Sequence, residues 1–168
     1  MDYVALLGLG SNLYSPAIQL ATAIKSIADH AHIQLHKQSS FYQSLPQGPQ
    51  DQDLFINAVI AIKTSLRPEA LLAVLQKIES DQGKVKLRHW GERCIDLDIL
   101  FMDQLRLHLK APDLIIPHPH ALTRDFVLIP ALEIVPEWIL PDGGMLKDYL
   151  DDCLKHDLKM LTQGTKSL

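Results

Sequence analysis

Cysteine is scarce in this sequence, with only Cys94 and Cys153 among 168 residues. A disulfide framework is thereby excluded, and a reduced, intracellular setting is expected. No apolar run approaches the roughly 18 residues that a membrane-spanning helix needs. Met1-Asp2-Tyr3 places no basic stretch ahead of the first apolar run, so no secretory signal is expected. There is no basic excess either: 16 Lys and Arg stand against 20 Asp and Glu, a net charge of −4. A nonspecific nucleic-acid binder would carry the opposite balance. The glycine-rich phosphate cradles are missing too. Gly83-Lys84 is followed by Val85 and has no glycine five residues before Gly83, which excludes a P-loop. Gly8-Leu9-Gly10 runs on to Leu13 where a dinucleotide fingerprint requires glycine.

What is present is ordinary globular material, 47% hydrophobic and 21% charged. The length suits one soluble domain over residues 1–168, expected to be cytoplasmic. Tyr3 to Leu9 reads as a strand buried on both faces. Ser15-Pro16 reads as a helix start, serine as cap and proline at the first position, with apolar spacing up to about Asp29. His32 to Tyr42 reads as a strand, and the polar stretch Gln43 to Asp53 as a loop. Leu54 to Lys63 alternates Leu54, Ile56, Ala58, Ile60 and Ile62 against Phe55, Asn57, Val59 and Ala61, again a strand. Pro68 opens a second helix that ends before Gly83, and Ile95 to Met102 reads as the next strand. The order strand, helix, strand, strand, helix, strand predicts an α+β, ferredoxin-like βαββαβ sandwich with its helices on one face. Six of the ten prolines fall between Pro112 and Pro141, so only short additional C-terminal elements are expected there. A last helix is expected over Met145 to His156, followed by a tail frayed after about residue 157.

The charges cluster. Lys84, Lys86, Arg88 and Arg93, with His89, stand in one segment against the single acid Glu92. Asp96-Leu97-Asp98 follows at once, and residues two apart on a strand share a face. Paired carboxylates suit a hard cation such as Mg²⁺, and cations just upstream suit the phosphates it carries. A solvated strand face shows the same D-x-D pattern, so the basic segment is what favours phosphoryl chemistry. Asn57 and Phe55 set an amide beside an aromatic ring. They suit either a flat heteroaromatic ligand or a structural bond to a neighbouring loop. In Pro117-His118-Pro119-His120 the histidines suggest zinc only thinly, and a phosphate-facing His118 with Arg124 fits as well. Gln76 and Glu79 share a helix face at i, i+3, as any solvated face does. Trp90 either stacks on a base or anchors the loop, and Cys94 reads as a packing residue.

These blocks together resemble the 6-hydroxymethyl-7,8-dihydropterin pyrophosphokinase family. The resemblance rests on Gly10-Ser11-Asn12, Ser39-Ser40-Phe41-Tyr42, Gly48-Pro49-Gln50-Asp51-Gln52 and Phe55-Ile56-Asn57-Ala58. It continues through Trp90-Gly91-Glu92-Arg93, Ile95-Asp96-Leu97-Asp98-Ile99, Ile116-Pro117-His118-Pro119 and Arg124-Asp125-Phe126. It implies a monomeric folate-pathway transferase that moves the β,γ-pyrophosphoryl group of ATP to a pterin hydroxymethyl group with two Mg²⁺. It implies Asp96 and Asp98 as metal ligands, and Ser44, Leu45, Phe55, Asn57 and Phe126 as the pterin pocket. Gln76, Glu79, Lys86, Trp90, Arg93, Ile99, His118 and Arg124 would surround ATP. Lys84, Arg93, Asp96, Asp98 and His118 would be catalytic. The chain departs from the family pattern at Lys84 and Lys86, where arginines are favoured, and at Glu92, where proline is usual. Its basic segment is also one residue shorter. Lysine loses the bidentate fork of arginine, which bears on ATP affinity. A nucleotide-sensing module, an RNA-binding sheet and a metal phosphohydrolase are the rival classes. The sensor leaves the paired aspartates idle, and the RNA binder lacks the aromatic run and basic balance.

Overall fold

Strand β1 (Tyr3–Ser11) pairs on both sides, antiparallel to β4 (Phe55–Thr64) and to β5 (Asp96–Met102). The computed structural model describes residues 2–46, 48–83 and 94–161. On the far flank of β4 lie two strands end to end, β2 (Ile33–Gln38) against Ile60–Thr64 and β3 (Tyr42–Ser44) against Phe55–Asn57. The expected single strand His32–Tyr42 is therefore broken. Its break is at Ser39, whose N–H donates to the Val59 carbonyl while its Oγ accepts the Val59 N–H at 3.0 Å. A side-chain hydroxyl thus stands in for a ladder carbonyl and lets the edge turn.

Helices α1 (Pro16–Ala28) and α2 (Pro68–Asp81) cover one face of this sheet. Leu20, Ala23, Ile24 and Ile27 of α1 and Leu71 and Leu75 of α2 pack with Ala5, Leu7, Leu9, Ile60, Ile62, Leu97 and Ile99. Each leucine or isoleucine among them contributes about 1.5–3 kcal/mol on leaving water. Pro16 sits where expected, but Ser15 does not cap with its side chain. It holds a left-handed φ of 61° and offers only its carbonyl, to Gln19 N–H at 3.0 Å.

The expectation of short pieces only after Asp103 fails at α3 (Asp125–Ile134), which runs through Pro130 and covers part of the opposite face. Helices therefore lie on both faces. A proline inside a helix costs about 3 kcal/mol. Here burial of Val127, Leu128, Ala131 and Ile134 against Leu6, Val59, Ala61, Leu100 and Phe101 outweighs it. Glu133 ties α3 to the sheet edge, accepting the Ser40 N–H and hydroxyl and the Tyr42 phenol at 2.6 Å. Burial and that carboxylate push the Tyr42 phenol above its ordinary pKa.

A hairpin of β6 (Leu107–Lys110) and β7 (Asp113–Ile116) is one of the short pieces expected. The helix expected over Met145–His156 is only a 3-10 turn, Leu146–Tyr149. After it the backbone bonds elsewhere: Leu154 N–H to the Thr123 carbonyl, and Asp125 N–H to the Leu154 carbonyl. Those groups are thus satisfied by the start of α3, not within a helix of their own. The tail is not frayed at residue 157 either, since β8 (Lys159–Met160) pairs with Tyr42 and Gln43. Among the described residues, no helix is long and apolar enough to cross a membrane.

Candidate active site

The face opposite α1 and α2 is only partly covered. The apolar cluster beneath α3 reaches Val59 on β4 and Leu100 on β5, and polar residues continue the same face. Asp96 stands opposite Gly10, and Gly10 opposite Asn57. Asp98 stands opposite Gly8. Residues directly opposite in neighbouring strands project from the same face, so a carboxylate, a glycine and an amide form one row across three strands. With strands about 4.8 Å apart, the outer two members of that row are about 10 Å apart along the sheet.

The glycines keep the middle of the row open. A Cβ on Gly10 would come within 3.2 Å of Asn57 Oδ1, and one on Gly8 within 3.3 Å of the Leu100 side chain. Leu100 is the extra residue of a bulge: Leu7 pairs with Ile99 and Leu6 with Phe101. The bulge sends both Leu100 and Phe101 to the α3 side. Asp96 is half-buried and Asp98 exposed.

Asn57 is 5% exposed, and its Nδ2 donates to Ser44 Oγ at 2.6 Å. Ser44 itself pairs with Phe55, so the strands bring Ser44, Phe55 and Asn57 together. One amide N–H is thus spent on a neighbour, which fixes the amide plane for whatever the remaining edge meets. Asn12 at the end of β1 donates to Gln52 Oε1 at 2.9 Å and to the Asp53 carbonyl at 3.1 Å. That pins the loop before β4 and accounts for the family blocks containing Asn12 and Gln52.

Arg124 and Asp125 stand at the start of α3. Burial lowers the pKa of Arg124, while the Asp98 carboxylate opposes that shift and favours its charged form. The Arg124 guanidinium also lies 5.5 Å from the Phe126 ring centroid. His118 is fixed by its N–H to the Leu100 carbonyl at 2.9 Å, two residues beyond Asp98. Its Nδ1 accepts the His120 N–H at 3.1 Å, so the neutral ring carries its proton on Nε2 and is a donor there. Burial, then the charges of Arg124 and His120, lower the His118 pKa to about 4. The folded value lies below the unfolded 6.5, so the unfolded state binds more protons between the two. Stability from this group is whole above pH 6.5 and declines as pH falls toward about 4. Ring chemical shifts of the ligand-free protein should accordingly show His118 neutral at pH 6; a midpoint near 6.5 would contradict the burial argument.

Not every expected residue joins this face. Glu79 is not on a solvated helix face: it is buried, with Oε2 accepting the Leu97 N–H at 2.7 Å. It braces the outer edge of β5 between the two aspartates. Gln76, three residues before it, is exposed. The Ile99 side chain lies in the core on the helix side, which leaves only its backbone for a ligand. Lys84, Lys86, Trp90 and Arg93, with the Glu92 departure, lie outside the described residues. Asp125 and His156, whose side chains meet at 2.7 Å, carried no pairing signal in the sequence, being 31 positions apart.

The carboxylates fit a hard cation. They are oxygen donors on one face of one strand, and the described residues hold no group of three or more His, Cys, Asp or Glu placed for a metal. Two carboxylates with the rest of the shell from water and phosphate is how Mg²⁺ is commonly held.

A sequence profile described as 7,8-dihydro-6-hydroxymethylpterin-pyrophosphokinase (HPPK) matches residues 6–136. A 2-amino-4-hydroxy-6-hydroxymethyldihydropteridine pyrophosphokinase of Haemophilus influenzae is 42% identical over 154 residues, 92% of this chain and 95% of that one. The enzyme of that name from Bacillus subtilis is 40% identical over 134 residues, 80% of this chain and 79% of the other. Among solved structures, Plasmodium falciparum HPPK-DHPS with pteroate matches with a TM-score of 0.72 at 14% identity. That match covers 90% of this chain but only 42% of the longer Plasmodium chain, and it speaks for the fold alone.

Proposed function

The chain belongs to the 7,8-dihydro-6-hydroxymethylpterin-pyrophosphokinase family, and from that premise we propose that the row Asp96–Gly10–Asn57 is its reaction floor. The activity is transfer of the β,γ-pyrophosphoryl group of ATP to the hydroxymethyl group of 6-hydroxymethyl-7,8-dihydropterin, a step of folate biosynthesis. One observation carries the site reading: the carboxylate and the amide share one face at the two ends of a row whose middle is glycine. A pterin held by Asn57 would then present its hydroxymethyl group toward phosphates held at Asp96 and Asp98.

The roles follow from the chemistry of each group. Asn57, aligned by Ser44, reads the guanidine-like edge of the pterin, with Phe55, Phe126 and Leu45 as its apolar walls. Two Mg²⁺ held by Asp96 and Asp98 would supply the charge neutralisation and in-line alignment that phosphoryl transfer requires. Arg124 beside Asp98 and neutral His118, with its Nε2 donor, stabilise charge on the transferring oxygens. Glu79 holds β5, and Gln76 and the backbone of Ile99 complete the ATP side. Lys84, Lys86, Trp90 and Arg93 take the ATP-binding and catalytic roles that their place in the family pattern implies. No side chain is assigned as general base.

The strand order β5-β1-β4 with β2 and β3 on the far flank, all antiparallel, supports the ferredoxin-like reading of the α+β fold. The same reading takes residues 1–168 as one cytoplasmic, monomeric domain. The test is a product assay with ATP, Mg²⁺ and 6-hydroxymethyl-7,8-dihydropterin that resolves AMP from ADP. AMP formed only in the presence of pterin is expected. ADP with free phosphate would indicate a hydrolase, and tight ATP binding without turnover a sensor.

A further inference from the structure

The segment between the 3-10 turn and β8 closes over the start of α3 and ends against two residues of the pterin side. His156 N–H donates to Asp125 Oδ2 at 2.8 Å, and His156 Nδ1 lies 2.7 Å from Asp125 Oδ1. One carboxylate therefore holds both the backbone and the ring of the same residue. The Asp125 side chain is buried at 3% exposed, and that of His156 is partly buried at 11%. An ionised carboxylate only accepts, so Nδ1 carries the proton of this bond and the ring orientation is set. From that position His156 makes two further contacts. Its carbonyl accepts the Leu45 N–H at 2.8 Å. Its ring meets Phe126 edge-on, with centroids 4.9 Å apart and planes at 76°. Leu45 leaves β3 and Phe126 lies in the first turn of α3, so one residue near the end of the described chain touches both walls.

From this geometry we infer that Asp125 and His156 are positioning residues of the pterin subsite. The carboxylate fixes residue 156, the imidazole edge fixes the plane of the Phe126 ring, and the carbonyl fixes the backbone at Leu45. An edge-to-face contact restrains a ring that a stacked substrate must meet flat, and small misplacements at such a ring weaken binding steeply. Neither residue needs to touch the substrate. The inference rests on the assignment of Phe126 and Leu45 to the pterin side.

Steady-state kinetics on the full chain, varying each substrate at saturating levels of the other, tests it beside thermal unfolding. His156→Ala is expected to raise the pterin KM about tenfold while the ATP KM moves less than about twofold. His156→Asn keeps an N–H donor at the Nδ1 position without the ring. It should recover the stability lost in the alanine variant but not its pterin KM, and it keeps the test open should His156→Ala fold poorly. A lower melting temperature with both KM values unchanged would make the pair a tether for the C-terminal segment and overturn the inference. An equal rise in both KM values would overturn it too. Phe126→Ala separates the two readings. If it raises the pterin KM while both His156 variants leave it alone, only the positioning role falls. If it leaves the pterin KM unchanged, the subsite assignment falls and the inference with it.

Discussion

Asp98→Ala is expected to lower turnover by about a thousandfold or more, since stabilising the charge on the transferring phosphates is the main way such a site lowers its barrier. The fold should survive. Asp98 is exposed, so its removal leaves no cavity, and the stability cost is confined to the charge it supplies to buried Arg124. On the proposed reading its loss acts in two places: it removes a metal oxygen, and it withdraws the charge that favours protonated Arg124. A Mg²⁺ titration of residual activity distinguishes them, because lost coordination raises the Mg²⁺ requirement and a disturbed Arg124 does not. Asp98→Asn, which keeps an oxygen donor of the same size without the charge, should fall between the alanine variant and the unaltered protein. Activity retained in Asp98→Ala with ordinary Mg²⁺ dependence would refute the metal assignment.

Asn57→Ala is expected to raise the KM for the pterin about a hundredfold and to leave the KM for ATP nearly unchanged. A site built to hydrogen-bond a polar edge loses discrimination steeply once the pairing group is gone. The same change leaves the Ser44 hydroxyl without its 2.6 Å partner, so a stability loss of about 1 kcal/mol should accompany it. Stability and binding must therefore be measured together. Loss of stability with equal effects on both substrates would make the amide a strut between β3 and β4. Ser44→Ala is the companion: with Asn57 present but unaligned, it should reproduce part of the rise for pterin and none for ATP.

Much of this site is legible in the chain because its parts are local patterns. Alternation over Ile95–Ile99 places Asp96 and Asp98 on one face and Leu97 and Ile99 on the other, which is where the structure has them. Alternation over Phe55–Ala61 likewise puts Asn57 on the face of Val59 and Ala61. Glu79 is legible only as a helix-face position. The Leu97 N–H it accepts is 18 residues away and open to a side chain because β5 is an edge. Pro130 argues against α3, and a propensity penalty cannot be weighed from the sequence against a cluster drawn from β1, β4 and β5. The helix expected over Met145–His156 fails because its polar backbone groups are satisfied by Thr123, Asp125 and Leu45.

By itself, then, the sequence determined the two helices α1 and α2, the strands β1, β4 and β5, the face of each aspartate and of Asn57, and the family to which those blocks belong. Each of these depends on periods of two or 3.6 residues, or on a motif contiguous in the chain. Only the tertiary structure decided that Asp96, Gly10 and Asn57 stand in one row, that α3 persists through its proline, and that His156 meets Phe126. Strand register and the destinations of backbone hydrogen bonds are relations between distant segments. No local pattern specifies them, and they are settled only when burial and hydrogen bonding are satisfied together across the whole sheet.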